Sequence, residues 1–259
     1  MTTRDQARRG YGWIRDNPDP RDRAFTPDLE IQKKLPKSVD LRPLCPPVYD
    51  QKAINSCTAQ AIAGAIQFDL IKQGIGDFVP SRLFIYYNER AARNVVCADC
   101  GSTPRAGVKA VATKGDCPET LWPYHPRKFA AKPPRICFEK ARSYKAVKYQ
   151  RIKRSLDHFK SCLASGYPFV FGMTVHDSFQ SFDKDAVRNT GHLELPRRGD
   201  RVEGGHAVLA VGYDDRDNWF LVRNSFGADW GTKGYFTIPY DYLLKEDLSA
   251  DFWVIDVVA

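Results

Sequence analysis

Residues 57–73 constrain the fold of this chain more than any other stretch. Their apolar positions recur at helical spacing: Ala59, Ile62, Ala63, Ile66 and Leu70 make one face, and Ala61, Ala65, Phe68 and Ile71 make the others apolar too. A helix that is greasy nearly all round cannot lie on a surface, so it has to run through the middle of a domain with other elements packed on every side. Gly74 stops it, since glycine takes the left-handed conformation that ends a helix without steric cost. Its first residue is Cys57, delivered by the polar loop Tyr49-Asp50-Gln51-Lys52-Ala53-Ile54-Asn55-Ser56. A thiol at that point faces unpaired backbone N–H groups and the positive end of the helix dipole, both of which favour the thiolate. Cys57 is therefore a candidate nucleophile.

The chain has 259 residues, enough for one large domain or two lobes sharing a cleft. Residues 1–34 carry Pro18, Pro20 and Pro27 among many charges, with Tyr11, Trp13, Ile14 and Phe25 scattered between, and read as an extended arm or short propeptide-like segment. From residue 35 to 259 a single domain is expected. Its first half is helical: Ser81 caps a helix over 82–93, and Thr103-Pro104 opens another over 105–114 that Gly115 stops. The character changes near Tyr144. After a weak alternation at Ala146–Tyr149 and a short helix over 155–165, brief apolar runs divided by Gly, Asp and Asn follow at 169–175, 207–212, 219–223, 235–238 and 252–258. Those runs indicate an antiparallel sheet or a small barrel. A helical lobe (about 45–143) and a β lobe (about 144–259), meeting at a groove, make the expected class α+β.

A nucleophilic thiol needs a base, a group that orients the base, and donors aimed at the developing oxyanion. Of the five histidines, His206 has the best setting, following Gly204-Gly205 at the mouth of the apolar run Ala207–Gly212. Asn224 ends the next strand, so neighbouring strand ends can place the two side by side. Gln51 can turn its amide into the concave loop before Cys57. His125, His158, His176 and His192 have no motif around them.

At this point the sequence resembles the papain-like (C1) cysteine peptidases, and is closest in character to their bacterial branch without the long propeptide. Leu35-Pro36-Lys37-Ser38-Val39-Asp40-Leu41-Arg42 is similar to the start of the mature enzyme. Ser56-Cys57 resembles the nucleophile site, Gly205-His206-Ala207-Val208 the histidine motif, and Asn224-Ser225-Phe226-Gly227-Ala228-Asp229-Trp230-Gly231 the asparagine motif. The resemblance implies a papain-like two-lobe fold, with a helical N-terminal lobe, a β-barrel-like C-terminal lobe and the active site between them. It also implies catalytic roles for Cys57, His206, Asn224 and Gln51, the last in the oxyanion hole. Gly101, Ser102 and Gly205 would bind the substrate backbone, while Phe226 and Trp230 shield the His–Asn pair. Ile54 and Asn55 replace the family's half-cystine and glycine, so its disulfide beside the nucleophile cannot form. The implied activity is endopeptidase hydrolysis through a Cys57 thioester. A catalytically silent binding protein on the same fold, or an acyl-transferring transpeptidase or isopeptidase, are the alternatives.

The chain carries seven cysteines and a net charge of +8. Cys97, Cys100, Cys117 and Cys137 could be written as zinc ligands, but a single CxxC is too little for a metal site, and no cofactor is expected. The charge is concentrated between Arg127 and Arg154, where Glu139 is the one acid. Such a run can attract an acidic partner, although no nucleic-acid motif accompanies it. Peptide or protein substrates and a monomer are expected. No run is long enough to span a bilayer. Without an apolar run at Met1–Gly10 the expected compartment is the cytoplasm, with non-classical export left open.

Overall fold

The computed structural model describes residues 10–76, 78–144, 148–179 and 186–256. Eight helices are present among them: α1 (Leu29–Lys33), α2 (Cys57–Gln73), α3 (Arg82–Ala91), α4 (Pro104–Lys114), α5 (Arg135–Ala141), α6 (Leu156–Ala164), α7 (Val187–Thr190) and α8 (Tyr240–Leu244). The strands are β1 (Ser38–Asp40), β2 (Lys148–Arg151), β3 (Phe169–His176), β4 (Val202–Asp214), β5 (Trp219–Arg223), β6 (Tyr235–Pro239) and β7 (Ser249–Asp256). As its all-round apolarity requires, α2 is buried without a break from Cys57 to Leu70. Its C-cap Gly74 is left-handed at φ 67°, and the Gly74 N–H closes on the Ile71 carbonyl. The Ser81 hydroxyl accepts from the Phe84 N–H at the head of α3, and the Thr103 hydroxyl accepts from the Ala106 N–H at the head of α4. The side-chain oxygens thus satisfy two of the donors that a helix start leaves orphaned.

The sheet runs in the order β2-β7-β3-β4-β5-β6, with β1 also on β4, and every named pairing is antiparallel. It is open. The barrel-like closure expected from the sequence does not occur, because each edge is covered by other chain. At β2, the Arg151 carbonyl accepts from Phe25 N–H and Arg151 N–H donates to Arg23; at β6, Thr237 N–H donates to Gly191. Edge donors and acceptors that would otherwise seek a partner are thereby used.

Two apolar clusters flank the sheet. One joins α2, α3 and α4 to Val170, Leu209, Val211 and Trp253. The other packs Phe159 of α6 with Phe169, Phe171, Phe220 and Phe252. Two further departures from sequence expectation bear on the site. β4 is longer than expected, so His206 lies within the strand, opposite Met173, and not at its mouth. The arm is not wholly extended, since Asp28 caps the short helix α1. Residues 1–9, Ala146, Val147, Val257 and Val258 lie outside the described residues.

Candidate active site

The head of α2 brings Cys57 against the middle of β4, at Ala207. The thiol is fully buried, and backbone N–H groups of Ala207, Gly12 and Thr58 lie about it. Burial pushes it up to about 11, with the charge of Glu89 acting in the same direction and those N–H groups opposing. Ser56 does not cap the helix through its side chain. Its hydroxyl instead meets Tyr124 Oη at 2.8 Å and accepts from Gln60 Nε2 at 3.1 Å, which leaves the backbone donors at the head of α2 facing the cleft.

Antiparallel pairing of β4 with β5 carries His206 to Asn224. Leu209 opposes Arg223, and one step beyond the strand His206 Nε2 lies 2.8 Å from Asn224 Oδ1. The Phe226 ring stacks on the imidazole, with centroids 4.8 Å apart and planes 28° from parallel. Trp230 packs edge-on against Phe226 at 5.7 Å. Phe226 therefore covers the His–Asn contact directly, while Trp230 braces Phe226. An apolar cover keeps water from competing for a hydrogen bond that has to hold the ring in one orientation.

Gln51 is also fully buried. Its Oε1 accepts from Ser225 Oγ at 2.7 Å, which fixes the amide and turns Nε2 to the Ile54 carbonyl at 3.0 Å and the Gly10 carbonyl at 2.9 Å. Ser225 adjoins Asn224, so the turn that follows β5 both supplies the partner of His206 and, through the Ser225 hydroxyl, orients the loop that precedes α2.

The cleft is occupied by the chain's own arm. Ser102 N–H donates to Gly12 O at 2.8 Å, Ile14 N–H to Ser102 O at 2.9 Å, and Trp13 N–H to Gly205 O at 2.8 Å. Gly10 to Ile14 thus cross the cleft bonded to both lobes, pairing with Ser102 in the parallel sense. Two glycines are required by the closeness. A β carbon on Gly101 would come 2.0 Å from Gly12 O, and one on Gly205 2.7 Å from the Trp13 carbonyl. Past the cleft, Trp13 Nε1 and Asp16 N–H both donate to Asp251 Oδ2, at 3.0 and 2.8 Å. Asp16 and Asp22 join Arg151 and Arg105 in an ion-pair cluster that anchors the arm. Burial, reinforced by the charge of Asp251, holds the Asp16 carboxyl above the usual carboxylate range.

The structure bonds His206 to Asn224, seats Cys57 beside the Ala207 N–H next to His206, and ties Gln51 to Ser225 next to Asn224, while Gly101, Ser102 and Gly205 meet the arm. An arm lying over or beside the cleft and limiting access is what the sequence leads one to expect of residues 1–34; which of its residues enter the cleft is not. The alternation Gly10-Tyr11-Gly12-Trp13 was the available signal, since two glycines one residue apart suit a strand pressed against backbone on one side. Sequence reasoning missed Asp99 and Glu89, the latter fully buried and accepting from Thr58 Oγ1 at 2.7 Å. Cys97 and Cys100 are exposed whereas Cys117 and Cys137 are buried, and no cluster of three or more metal-ligating side chains occurs among the described residues. Of the basic run, Arg151 belongs to the anchor, and Arg154 donates to the carbonyls of Leu243, Lys245 and Ser249.

An α+β molecule with a thiol at the head of a buried helix and a His–Asn pair on the facing sheet has the design of a thiol hydrolase. The model of the papain family cysteine proteases matches residues 35–246, and the chain belongs to that family. A peptidase C1-like protein of Acanthamoeba polyphaga mimivirus is 42% identical over 96% of this chain and 88% of its own. Cathepsin B-like CP3 of Giardia intestinalis is 30% identical over 84% of this chain and 74% of its own. Xylellain, a cysteine protease from Xylella fastidiosa, has a solved structure that superposes with a TM-score of 0.90 at 43% identity, covering 97% of each chain. Among the described residues no helix is long and apolar enough to cross a membrane.

Proposed function

We propose that this cysteine peptidase cleaves peptide bonds with Cys57 as nucleophile, His206 as acid and base, Asn224 as the orienter of His206, and Gln51 with the Cys57 N–H as oxyanion donors. The observation that carries the reading is Gln51 Nε2 donating to a peptide carbonyl, that of Gly10, in a cleft whose floor is the thiol. Cys57 Sγ, its proton passed to His206, adds to the carbonyl carbon of a substrate peptide. The oxyanion is received by the two donors, and the imidazolium returns the proton to the leaving amine. Water then adds to the thioester and frees the carboxylate and the thiol.

Gly10–Ile14 act as a plug in cis on this reading. They use the backbone donors and acceptors a substrate would use and keep the thiol buried and protonated, so turnover requires them to withdraw. The test is labelling by a thiol-directed epoxide: reaction of the wild type, at a site lost in Cys57→Ala, is expected, and a chain inert under all conditions would sink the assignment. We further propose that the protein works as a cytoplasmic monomer and that the basic run 127–154, apart from Arg151 and Arg154, is open to an acidic partner. Cell fractionation, sedimentation and salt-dependent binding of an acidic peptide test these points.

A further inference from the structure

We infer that Asp99 is a positioning residue for the oxyanion hole, acting through the Ile54–Asn55 peptide. The inference rests on the catalytic reading above. That one peptide unit is gripped at both ends. Its carbonyl accepts from Gln51 Nε2 at 3.0 Å, and its N–H donates to the Asp99 carboxylate at 3.0 and 3.2 Å. Asn55 returns the grip, since its side-chain amide donates to the Asp99 carbonyl at 2.6 Å. Tyr86 completes the link: its hydroxyl donates to Asp99 Oδ1 and accepts from Gly101 N–H.

A peptide plane held only at its carbonyl can rotate, whereas one held at both edges cannot. If the plane turned, the Ile54 carbonyl would leave the Gln51 amide, and an oxyanion donor would lose its aim. Asp99 thus sets the direction of a group it does not touch. Through Tyr86 it also joins the nucleophile loop to Gly101-Ser102, so the oxyanion donor and the backbone-binding strip share one frame. Ile54 offers no covalent way of making that join, and the two cysteines on either side of Asp99, Cys97 and Cys100, are free thiols and exposed.

The test separates attack on a carbonyl from attack on a saturated carbon. Acylation of Cys57 by a peptide ester needs the thiolate and the oxyanion hole, whereas alkylation by iodoacetamide needs only the thiolate. Both rates are measured in the full-length chain carrying Gly12→Val, which opens the cleft by steric conflict with Asn55, with and without Asp99→Ala. Acylation is expected to slow by about ten- to a hundredfold, the range for a misaimed oxyanion donor, while alkylation stays within about threefold. Asp99→Asn, which keeps one oxygen for the Asn55 N–H, should recover most of the loss. Equal slowing of both reactions would reduce Asp99 to a structural residue, and no slowing of acylation would refute the inference outright. A Gly12→Val chain inert to both reagents would instead remove the nucleophile assignment, and this inference with it.

Discussion

Replacing Gly12 by valine should unseat the arm and raise turnover by the full-length chain. A β carbon at this position would stand 2.0 Å from the Asn55 carbonyl oxygen and 2.6 Å from its carbon. That carbonyl is main chain, in a loop that Gln51 and Asp99 hold, so it cannot yield as a flexible side chain would. The arm has to move, and four hydrogen bonds go with it: Gln51 to Gly10, Ser102 to Gly12, Trp13 to Gly205 and Ile14 to Ser102. At a net value of about 1 kcal/mol each, the seat weakens by about 4 kcal/mol, roughly a thousandfold in the ratio of seated to open forms. The Asp16 and Asp22 anchor keeps the released segment near, so the observed gain will be smaller, at least about tenfold. The assay is the initial rate on a short fluorogenic peptide, with active sites titrated by a thiol-directed epoxide. Equal rates per titrated site for wild type and Gly12→Val would show that residues 10–14 do not gate the cleft.

Other consequences are as direct. Gln51→Ala, read in the Gly12→Val chain, should lower kcat by about 10²–10³-fold with little change in KM, because the donor acts on charge that appears only in the transition state; an effect confined to KM would be contrary. Phe226→Ala should cost about 3–5 kcal/mol of stability in thermal or urea unfolding for the loss of a buried ring, and should lower kcat further by wetting the His206–Asn224 contact. Glu89 sets a pH dependence. Burial pushes its carboxyl up to about 8 from an ordinary 4.5, so the folded chain keeps a proton that the unfolded chain releases. Its share of stability is full below about pH 4.5 and is lost as pH rises towards 8. Glu89→Gln, which keeps an acceptor for the Thr58 hydroxyl, should be more stable than wild type at pH 8 by at least about 1 kcal/mol, with the difference shrinking towards pH 5. Parallel melting curves across that range would count against a protonated Glu89.

Much of the site was legible before the structure because each of its residues marks a local feature. Cys57 opens a helix that Gly74 closes. His206 sits on, and Asn224 just past, strands whose apolar runs are unmistakable, and Gln51 lies in the polar loop before Cys57. The expected ends of α3 and β4 erred by a few residues, since pairing across the sheet extends β4 through two glycines that have no strand propensity of their own. Asp99 was harder. It lies between Cys97 and Cys100, a setting that suggests metal or redox chemistry, and its partner is a backbone N–H of another loop. No pattern of residue types announces such a partner.

By itself the sequence determined that a buried helix would carry a thiol at its head, that a sheet would bring a histidine and an asparagine to face it, and that the family would be that of the papain-like peptidases. Those are properties of periodicity, capping and the order of motifs, all written along the chain. Only the tertiary structure decided that the sheet stays open, that Gly10–Ile14 lie across the thiol, and that Asp99 and Tyr86 tie the Ile54–Asn55 peptide to Gly101. These depend on which groups meet once the two lobes and the arm are packed, and a hydrogen bond with a main-chain atom at one end leaves little trace in the identity of the residue that supplies that end.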